Sequence, residues 1–187
     1  MANKISVYKT EGVILKAADL GELDRLLTIY TNGYGKIQAR AISARKKESK
    51  LAGNLQPFTR VRFLLAKSKT IDIVTDVSVV DSYLQLHHRL ENLSHAFYFA
   101  ELVDKLVAAP EPDENLWRLI CRAFSVLNQP RADWLKLKEA FEEKLLEYLG
   151  HPSFKTQDKT TEQQRSHYLE SLAGERINSV KFLSLVK

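Results

Sequence analysis

The stretch KIQARAI, Lys36–Ile42, alternates strictly between two kinds of side chain. Successive side chains of a β-strand point to opposite faces, so this alternation predicts a strand that is buried on one face only. The outer face would carry Lys36, Gln38 and Arg40 and would therefore be basic. The inner face would carry Ile37, Ala39 and Ala41.

Four further segments of the first eighty residues have the composition and alternation of strands, with breaks rich in Gly, Asn, Asp or Lys between them. The break before Lys36 contains Asn32-Gly33, which tolerates the positive φ angles of a tight hairpin. Five short strands with few helix-length segments between them predict a small closed or partly closed barrel. The other four segments are Tyr8–Ala17, Asp24–Thr31, Phe58–Ser68 and Thr70–Val80.

After about Asp81 the apolar residues recur at steps of three and four, which is typical of helices. The predicted fold class is therefore a two-domain β + α protein, with a barrel over residues 1–80 and an all-α domain over residues 81–187. The predicted helices are Leu90–Val107, a second from an Asp113 cap to Leu127, Trp134–Leu149, Thr161–Leu172 and Ser179–Val186.

The basic residues are concentrated at the start of the chain. Residues 1–80 contain 14 Lys+Arg and 7 Asp+Glu, whereas residues 81–187 contain 14 and 16. This asymmetry favours a polyanionic partner for the predicted barrel alone, although solvated surface lysines would give the same balance.

Composition argues against several classes of protein. The single cysteine, Cys121, excludes a disulfide within the chain and a zinc site built from its cysteines. The chain has no Gly-rich phosphate loop, and the spacing of its five histidines matches no ligand set. No apolar run approaches the roughly 18 residues that span a bilayer. We therefore expect a cytoplasmic binding protein with no enzymatic activity, no metal or other cofactor, and no membrane contact.

The strongest candidate site is the basic stretch Ala39–Phe58, which follows the alternating strand. Basic side chains on a barrel rim suit a phosphate backbone, because each contact releases condensed counterions. A flexible basic loop without a partner is the alternative. The predicted DNA-binding residues are Lys36, Arg40, Arg45, Lys46, Lys47, Lys50, Arg60 and Arg62.

Aromatic residues near this stretch are candidates for stacking on nucleobases. Tyr34 and Phe58 are the predicted stacking residues, and Tyr30 is a further candidate. An aromatic side chain in a strand more often belongs to the core, which is the alternative for each.

Taken in order, these segments resemble the RecO family of recombination mediators. TEGVILKAADLGELDRLLTIYT, Thr10–Thr31, resembles the family's opening strand and its Gly-Glu-x-Asp-Arg-Leu turn. The residues from Lys50 to Phe58, with their Leu-Gln-Pro-Phe ending, resemble a second family pattern. Ala96–Val107 and Ala140–Pro152 resemble its two helical signatures. The resemblance spans Tyr8–Pro152.

The resemblance implies an OB barrel followed by a helical domain, and a role in DNA repair and recombination. It implies binding of single-stranded and duplex DNA and annealing of complementary strands. It also implies loading of recombinase, with a RecR-like partner, on DNA coated by single-stranded DNA-binding protein. The helical half would then bind the acidic, phenylalanine-ending C-terminal tail of that protein. Such a protein would be cytoplasmic and nucleoid-associated.

The end of the chain departs from the family pattern. Many members follow a Leu-Gly-x-x-Pro segment with a four-cysteine zinc module, whereas here residues 151–187, which follow Leu149-Gly150, contain no cysteine. Because Gly174–Val186 resembles a family-like ending, we expect an internally shortened, zinc-less C-terminal domain.

Two other functions stay open on the residues alone. The chain could be a protein-interaction adaptor, in which the helical half does the work and the barrel is a docking module. It could also be an RNA-binding OB protein without annealing activity, since a basic barrel does not by itself distinguish the two nucleic acids.

Overall fold

The computed structural model describes residues 6–49, 51–130, 133–154 and 161–184. The chain forms two compact units. One runs to Tyr83 and also includes Ala109–Trp117, and the other consists of Leu84–Ala108 and the chain from Arg118 onward.

The first unit contains a closed five-stranded barrel with the strand order β1-β2-β3-β5-β4. Neighbouring strands are antiparallel except β3 and β5, which are parallel. The predicted barrel and its five strands are therefore confirmed, and a short 3-10 helix lies between β3 and β4. The elements are β1 (Val7–Leu20), β2 (Asp24–Thr31), β3 (Gly35–Ala41), the 3-10 helix (Ala52–Asn54), β4 (Arg60–Ala66) and β5 (Asp72–Asp81).

β1 closes the barrel because it is long enough to pair along both of its edges. Its first half pairs with β4 and its second half with β2, and the two ladders overlap at Gly12 and Val13. A Cβ atom at Gly12 would lie 2.6 Å from Ile29 Cγ2 and 3.1 Å from the Tyr30 carbonyl oxygen. Any larger residue at this crossing would push β2 away from β1.

Side chains from all five strands fill the barrel interior. In β3, Ala39 and Ala41 are buried while Gln38 and Arg40 are exposed, which confirms the alternation expected from the sequence. The burial of one face leaves the other free for polar side chains, so the strand positions its basic residues on the outside. The fully or nearly fully buried core also includes Ile14, Leu27, Ile29, Leu55, Val61, Phe63, Leu65 and Val74.

The second unit is helical, and the five helices expected from the sequence are confirmed. The short α1 was not predicted, and the last two residues of the final predicted helix, Leu185 and Val186, lie outside the described residues. The helices are α1 (Leu84–His88), α2 (Leu90–Leu106), α3 (Glu114–Leu127), α4 (Trp134–Tyr148), α5 (Glu162–Ala173) and α6 (Val180–Ser184).

Two of the helix starts use the capping residues that the sequence indicated. Asp113 Oδ1 accepts a hydrogen bond from the backbone N–H of Leu116 at 2.9 Å. Thr161 and Gln164 form a reciprocal capping box at the start of α5. These contacts satisfy backbone donors that have no partner within the helix.

The helical unit combines an aromatic core with a buried charge. Phe99 of α2 and Phe141 of α4 stack with their ring centroids 4.1 Å apart. Glu142, whose side chain is fully buried, accepts a hydrogen bond from the Tyr98 hydroxyl at 2.7 Å and lies 3.0 Å from Lys138 Nζ. Burial and the Glu142 charge raise the pKa of the Tyr98 hydroxyl well above its usual value, so that hydroxyl stays a donor.

Candidate nucleic-acid interface

The outer face of β3 carries a cation that is already paired. Arg40 is 49% exposed, and its Nε and Nη2 lie 2.7 and 2.5 Å from Asp24 Oδ2. Lys36, at the other end of the strand, is half-buried. The strand therefore presents basic groups outward as predicted, but Arg40 is held by an acid from β2.

Asp24 joins this strand to the loop that follows it. Its other carboxylate oxygen accepts a hydrogen bond from the backbone N–H of Ser43 at 2.7 Å. The hydrogen bond from Ser43 and the one from Arg40 lower the pKa of Asp24, because both stabilise the carboxylate. Ser43 has a φ of 54°, a conformation that a non-glycine residue adopts only when its surroundings hold it there. Asp24 therefore sets the start of the basic loop, residues 42–59.

Arg45 anchors the same loop to the turn between β1 and β2. Its Nη1 donates to the carbonyl oxygens of Gly21 and Glu22 at 3.2 and 3.0 Å, and its Nη2 lies 3.2 Å from Asp19. The backbone N–H of Arg45 also donates to the Leu23 carbonyl at 2.9 Å. The side chain is thus used within the protein rather than presented to a ligand.

Lys46 and Lys47 come next and are exposed. Within the described residues, neither has an acidic partner at ion-pair distance. Their position follows from the two anchors before them, since Asp24 and Arg45 hold the backbone on which they sit. Lys50, which the sequence also placed in this group, lies outside the described residues.

Arg60 and Arg62 of β4 share one carboxylate. Glu11 Oε1 lies 2.5 Å from Arg60 Nη2, and Glu11 Oε2 lies 3.4 Å from Arg62 Nη2. The register explains the pair, because Glu11 stands directly opposite Arg62 across β1 and β4. Arg62 is 61% exposed and Arg60 only 33%, so Arg62 is the more accessible of the two.

Tyr34 belongs to an aromatic pair that the sequence did not reveal. It is 39% exposed, and its ring centroid is 4.5 Å from that of Tyr8. The Tyr8 hydroxyl donates to Asp72 at 2.5 Å, and Lys67 Nζ lies 5.8 Å from the Tyr8 ring. A partly exposed ring backed by a fixed one, with a cation beside it, suits stacking of an unpaired base. Tyr8 and Lys67 are far apart in sequence, and the antiparallel pairing of β1 with β4 brings them to the same end of that ladder.

The other two candidate stacking residues are core residues in this structure. Phe58 is 1% exposed with a φ of 64°, and Tyr30 is fully buried. Neither ring is accessible to a nucleobase in this structure.

Asp24→Asn keeps the shape of this junction and removes its charge, and we expect it to lower the melting temperature at neutral pH. The pKa of Asp24 is lower in the folded than in the unfolded protein. The stabilisation that its carboxylate gives to the fold is therefore complete above the unfolded pKa of about 3.9, and it disappears as the pH falls through the lower folded pKa. The deficit should therefore vanish in strong acid when thermal unfolding is followed across pH. Glu48→Gln, an exposed carboxyl of the same loop, is the matched control and should unfold like the parent. Equal melting temperatures for Asp24→Asn and the parent at neutral pH would contradict this role.

The described residues lack two features, a metal-ligand cluster and a membrane-spanning helix. They contain no cluster of three or more His, Cys, Asp or Glu placed to hold a metal ion. Among them, no helix combines the length and the apolar character that a transmembrane span requires.

A five-stranded barrel in this strand order, with a basic loop after its third strand, has the architecture of an OB fold, a class that binds oligonucleotides. Two family models match the chain on either side of the end of β5. The model for the N-terminal part of recombination protein O matches residues 4–83, and the model for its C-terminal part matches residues 87–178. The chain belongs to the RecO family, as the resemblance implied.

Several curated relatives carry the name DNA repair protein RecO. The one from Pelotomaculum thermopropionicum is 37% identical over 147 residues, covering 79% of this chain and 57% of the relative. The one from Roseiflexus sp. is 38% identical over 145 residues, covering 78% of this chain and 50% of the relative. The one from Desulforamulus reducens is 31% identical over 146 residues, covering 78% and 56%. The chain thus spans about half the length of these relatives.

Proposed function

We propose that this chain is a non-enzymatic DNA repair and recombination mediator that binds single-stranded and duplex DNA through its barrel and anneals complementary strands. It would act at the nucleoid with a RecR-like partner, loading recombinase on DNA coated by single-stranded DNA-binding protein. The observation that carries the DNA-binding part is the exposed pair Lys46 and Lys47, held in place by the anchored loop before it. Family membership supports the wider role.

The interface we propose has a phosphate-binding part and a base-binding part. Lys46 and Lys47 make the main phosphate contacts, since the arginines of the predicted set already have acidic partners. Arg40 and Arg62 are exposed enough to exchange part of their ion pairs for phosphate. Tyr34 would stack on an unpaired base. The set therefore favours a single strand, whose bases are free to stack.

The helical unit would bind the acidic tail of single-stranded DNA-binding protein. Such a tail needs an apolar contact for its terminal phenylalanine and a cation beside it. Phe97 and Phe182 are both partly exposed with ring centroids 5.8 Å apart, and Lys181, which precedes Phe182 in sequence, is exposed. These three side chains supply the chemistry that the tail requires.

An annealing assay on two complementary labelled strands tests this function directly. We expect the chain to speed duplex formation, and to keep doing so when the strands are coated with single-stranded DNA-binding protein. Lys46→Ala/Lys47→Ala should slow annealing, because the phosphate contacts that hold the strands are lost. If a folded chain that binds both strands anneals them no faster than they anneal without protein, the mediator role is contradicted. The chain would then be a DNA-binding adaptor.

A further inference from the structure

A six-residue segment that is rich in acidic residues and proline, and that ends at the first residue of α3, lies against the barrel. This segment, which we call the strap, is Ala109–Glu114, with the sequence APEPDE. It contains three acids and no base, and it belongs to the same compact unit as the barrel, whose strands and loops carry the basic excess. The strap thus adds three acidic residues to the compact unit that carries the basic excess.

The strap's backbone makes close contact at the hairpin between β2 and β3. An ideal Cβ at Gly35 would lie 2.3 Å from the Glu111 carbonyl oxygen and 2.8 Å from Pro112 N. No side chain fits there, and Gly35 also has a φ of +63°, which favours glycine. Gly35, the first residue of β3, therefore leaves the space in which the strap's backbone packs against the barrel.

A second contact lies on β2. The Tyr30 hydroxyl donates to the Asp113 carbonyl oxygen at 3.3 Å, and the Tyr30 side chain is fully buried. Burial raises the pKa of Tyr30 to about 12, so its hydroxyl keeps its proton and remains a donor at neutral pH. One weak hydrogen bond to a main-chain carbonyl fixes the strap without using its acidic side chains.

The chain just after the strap is fixed to β4. The guanidinium carbon of Arg60 lies 5.5 Å from the centroid of the Trp117 ring, an arrangement that favours cation–π attraction. Trp117 is buried, whereas Glu111 and Glu114 in the strap are exposed. The segment therefore contacts the barrel through its backbone, while its two glutamate side chains are exposed.

OB folds bind nucleic acid on the face formed by their second and third strands. Tyr30 and Gly35 belong to those strands, so the strap occupies part of the face that an oligonucleotide would use. A polyanion approaching this face would be repelled by the exposed carboxylates of Glu111 and Glu114, and it would compete with the strap for the part of the face that the strap occupies.

We propose that the strap is an autoinhibitory segment, which covers part of the barrel's nucleic-acid face and is displaced when single-stranded DNA binds. This inference rests on the proposed DNA-binding function. The strap lowers the affinity for short or weakly charged ligands, because its displacement must be offset by several phosphate contacts. Longer single strands supply those contacts, so the strap makes the barrel selective for them.

Neutralising the strap tests the proposal. Glu111→Gln/Glu114→Gln removes two charges and leaves Asp113, which caps α3, in place. We expect this variant to bind an oligothymidylate at low salt roughly threefold to tenfold more tightly than the parent, the range for two exposed charge interactions. Glu91→Gln/Glu147→Gln makes the same charge change on the helical unit and is the matched control, with an expected gain below about twofold.

Displacement itself can be followed through Trp117, in a Trp134→Phe background that leaves it the only tryptophan. Adding the oligonucleotide should shift its emission to longer wavelength, as the ring loses its buried contacts. The strap proposal would be overturned if both double variants gained equally in affinity for the oligonucleotide and the Trp117 emission did not shift. The DNA-binding function would then remain intact. Absence of binding by the parent and by both variants would overturn the two together.

Discussion

Lys46→Ala/Lys47→Ala is expected to flatten the salt dependence of single-stranded DNA binding by about 1.4 in the slope of log affinity against log salt, at about 0.7 per lost contact. The two lysines are exposed on a loop that Asp24 and Arg45 hold in place, so we expect their loss to remove the proposed phosphate contacts and to leave the fold unchanged. Affinity should fall to a similar degree for all base sequences, because phosphate contacts carry no base information. Fluorescence anisotropy at several salt concentrations measures both quantities.

The control for this variant removes two lysines from the helical unit. Lys136→Ala/Lys144→Ala takes away the same charge from side chains that are exposed and already paired with Asp133 and Glu147. Its slope should stay close to that of the parent. A folded Lys46→Ala/Lys47→Ala protein with the parent's slope would show that the two lysines do not contact phosphate. Arg62 and Lys67 would then be the next candidates for the phosphate contacts.

Glu142→Leu should produce the largest loss of stability, about 3–5 kcal/mol, because it leaves a nearly buried Lys138 without its closest partner. It also removes the acceptor of the Tyr98 hydroxyl. Replacing the whole group by apolar residues, in Tyr98→Phe/Lys138→Met/Glu142→Leu, should restore most of this loss, since no uncompensated charge remains. Urea unfolding followed by far-ultraviolet circular dichroism gives the free energies.

Glu147→Ala is the comparison for this series. Glu147 pairs with Lys144 at 2.7 Å, but both side chains are about half exposed, so its removal should cost no more than about 0.5 kcal/mol. A loss below about 1 kcal/mol for Glu142→Leu, or a triple variant as unstable as the single one, would contradict the role given to the buried pair.

The strands and helices could be predicted because each has a period that local chemistry sets. β3 alternates over its whole length, and the helices carry apolar stripes with recognisable caps such as Asp113 and Thr161. α1 was missed because its five residues, Leu84–His88, are too few to show a helical period. The assignment of Ala109–Trp117 to the barrel's unit has no sequence signal, because it depends on the contact between Gly35 and Glu111.

The sequence could predict where in the chain the candidate site lies, but not which of its basic residues form ion pairs. The cluster of basic residues marked the loop after β3, and the structure places Lys46 and Lys47 there as exposed cations. Which arginines are occupied depends on strand register, as in the approach of Glu11 to Arg62 across 51 positions of sequence. The sequence shows the charge of a residue but not its partner. Arg40, Arg45 and Arg60 were therefore predicted to bind DNA in the same way as the lysines.

The central claim is that the barrel is a single-stranded DNA-binding surface, and one salt titration tests it most directly. Binding of the unaltered chain would be measured against single-stranded DNA, RNA of the same sequence and duplex DNA of the same length. We expect single-stranded DNA to bind at least as tightly as the other two, with log affinity falling linearly with log salt at a slope of about 1.4 or more. Binding that does not respond to salt, or a clear preference for RNA, would contradict the claim.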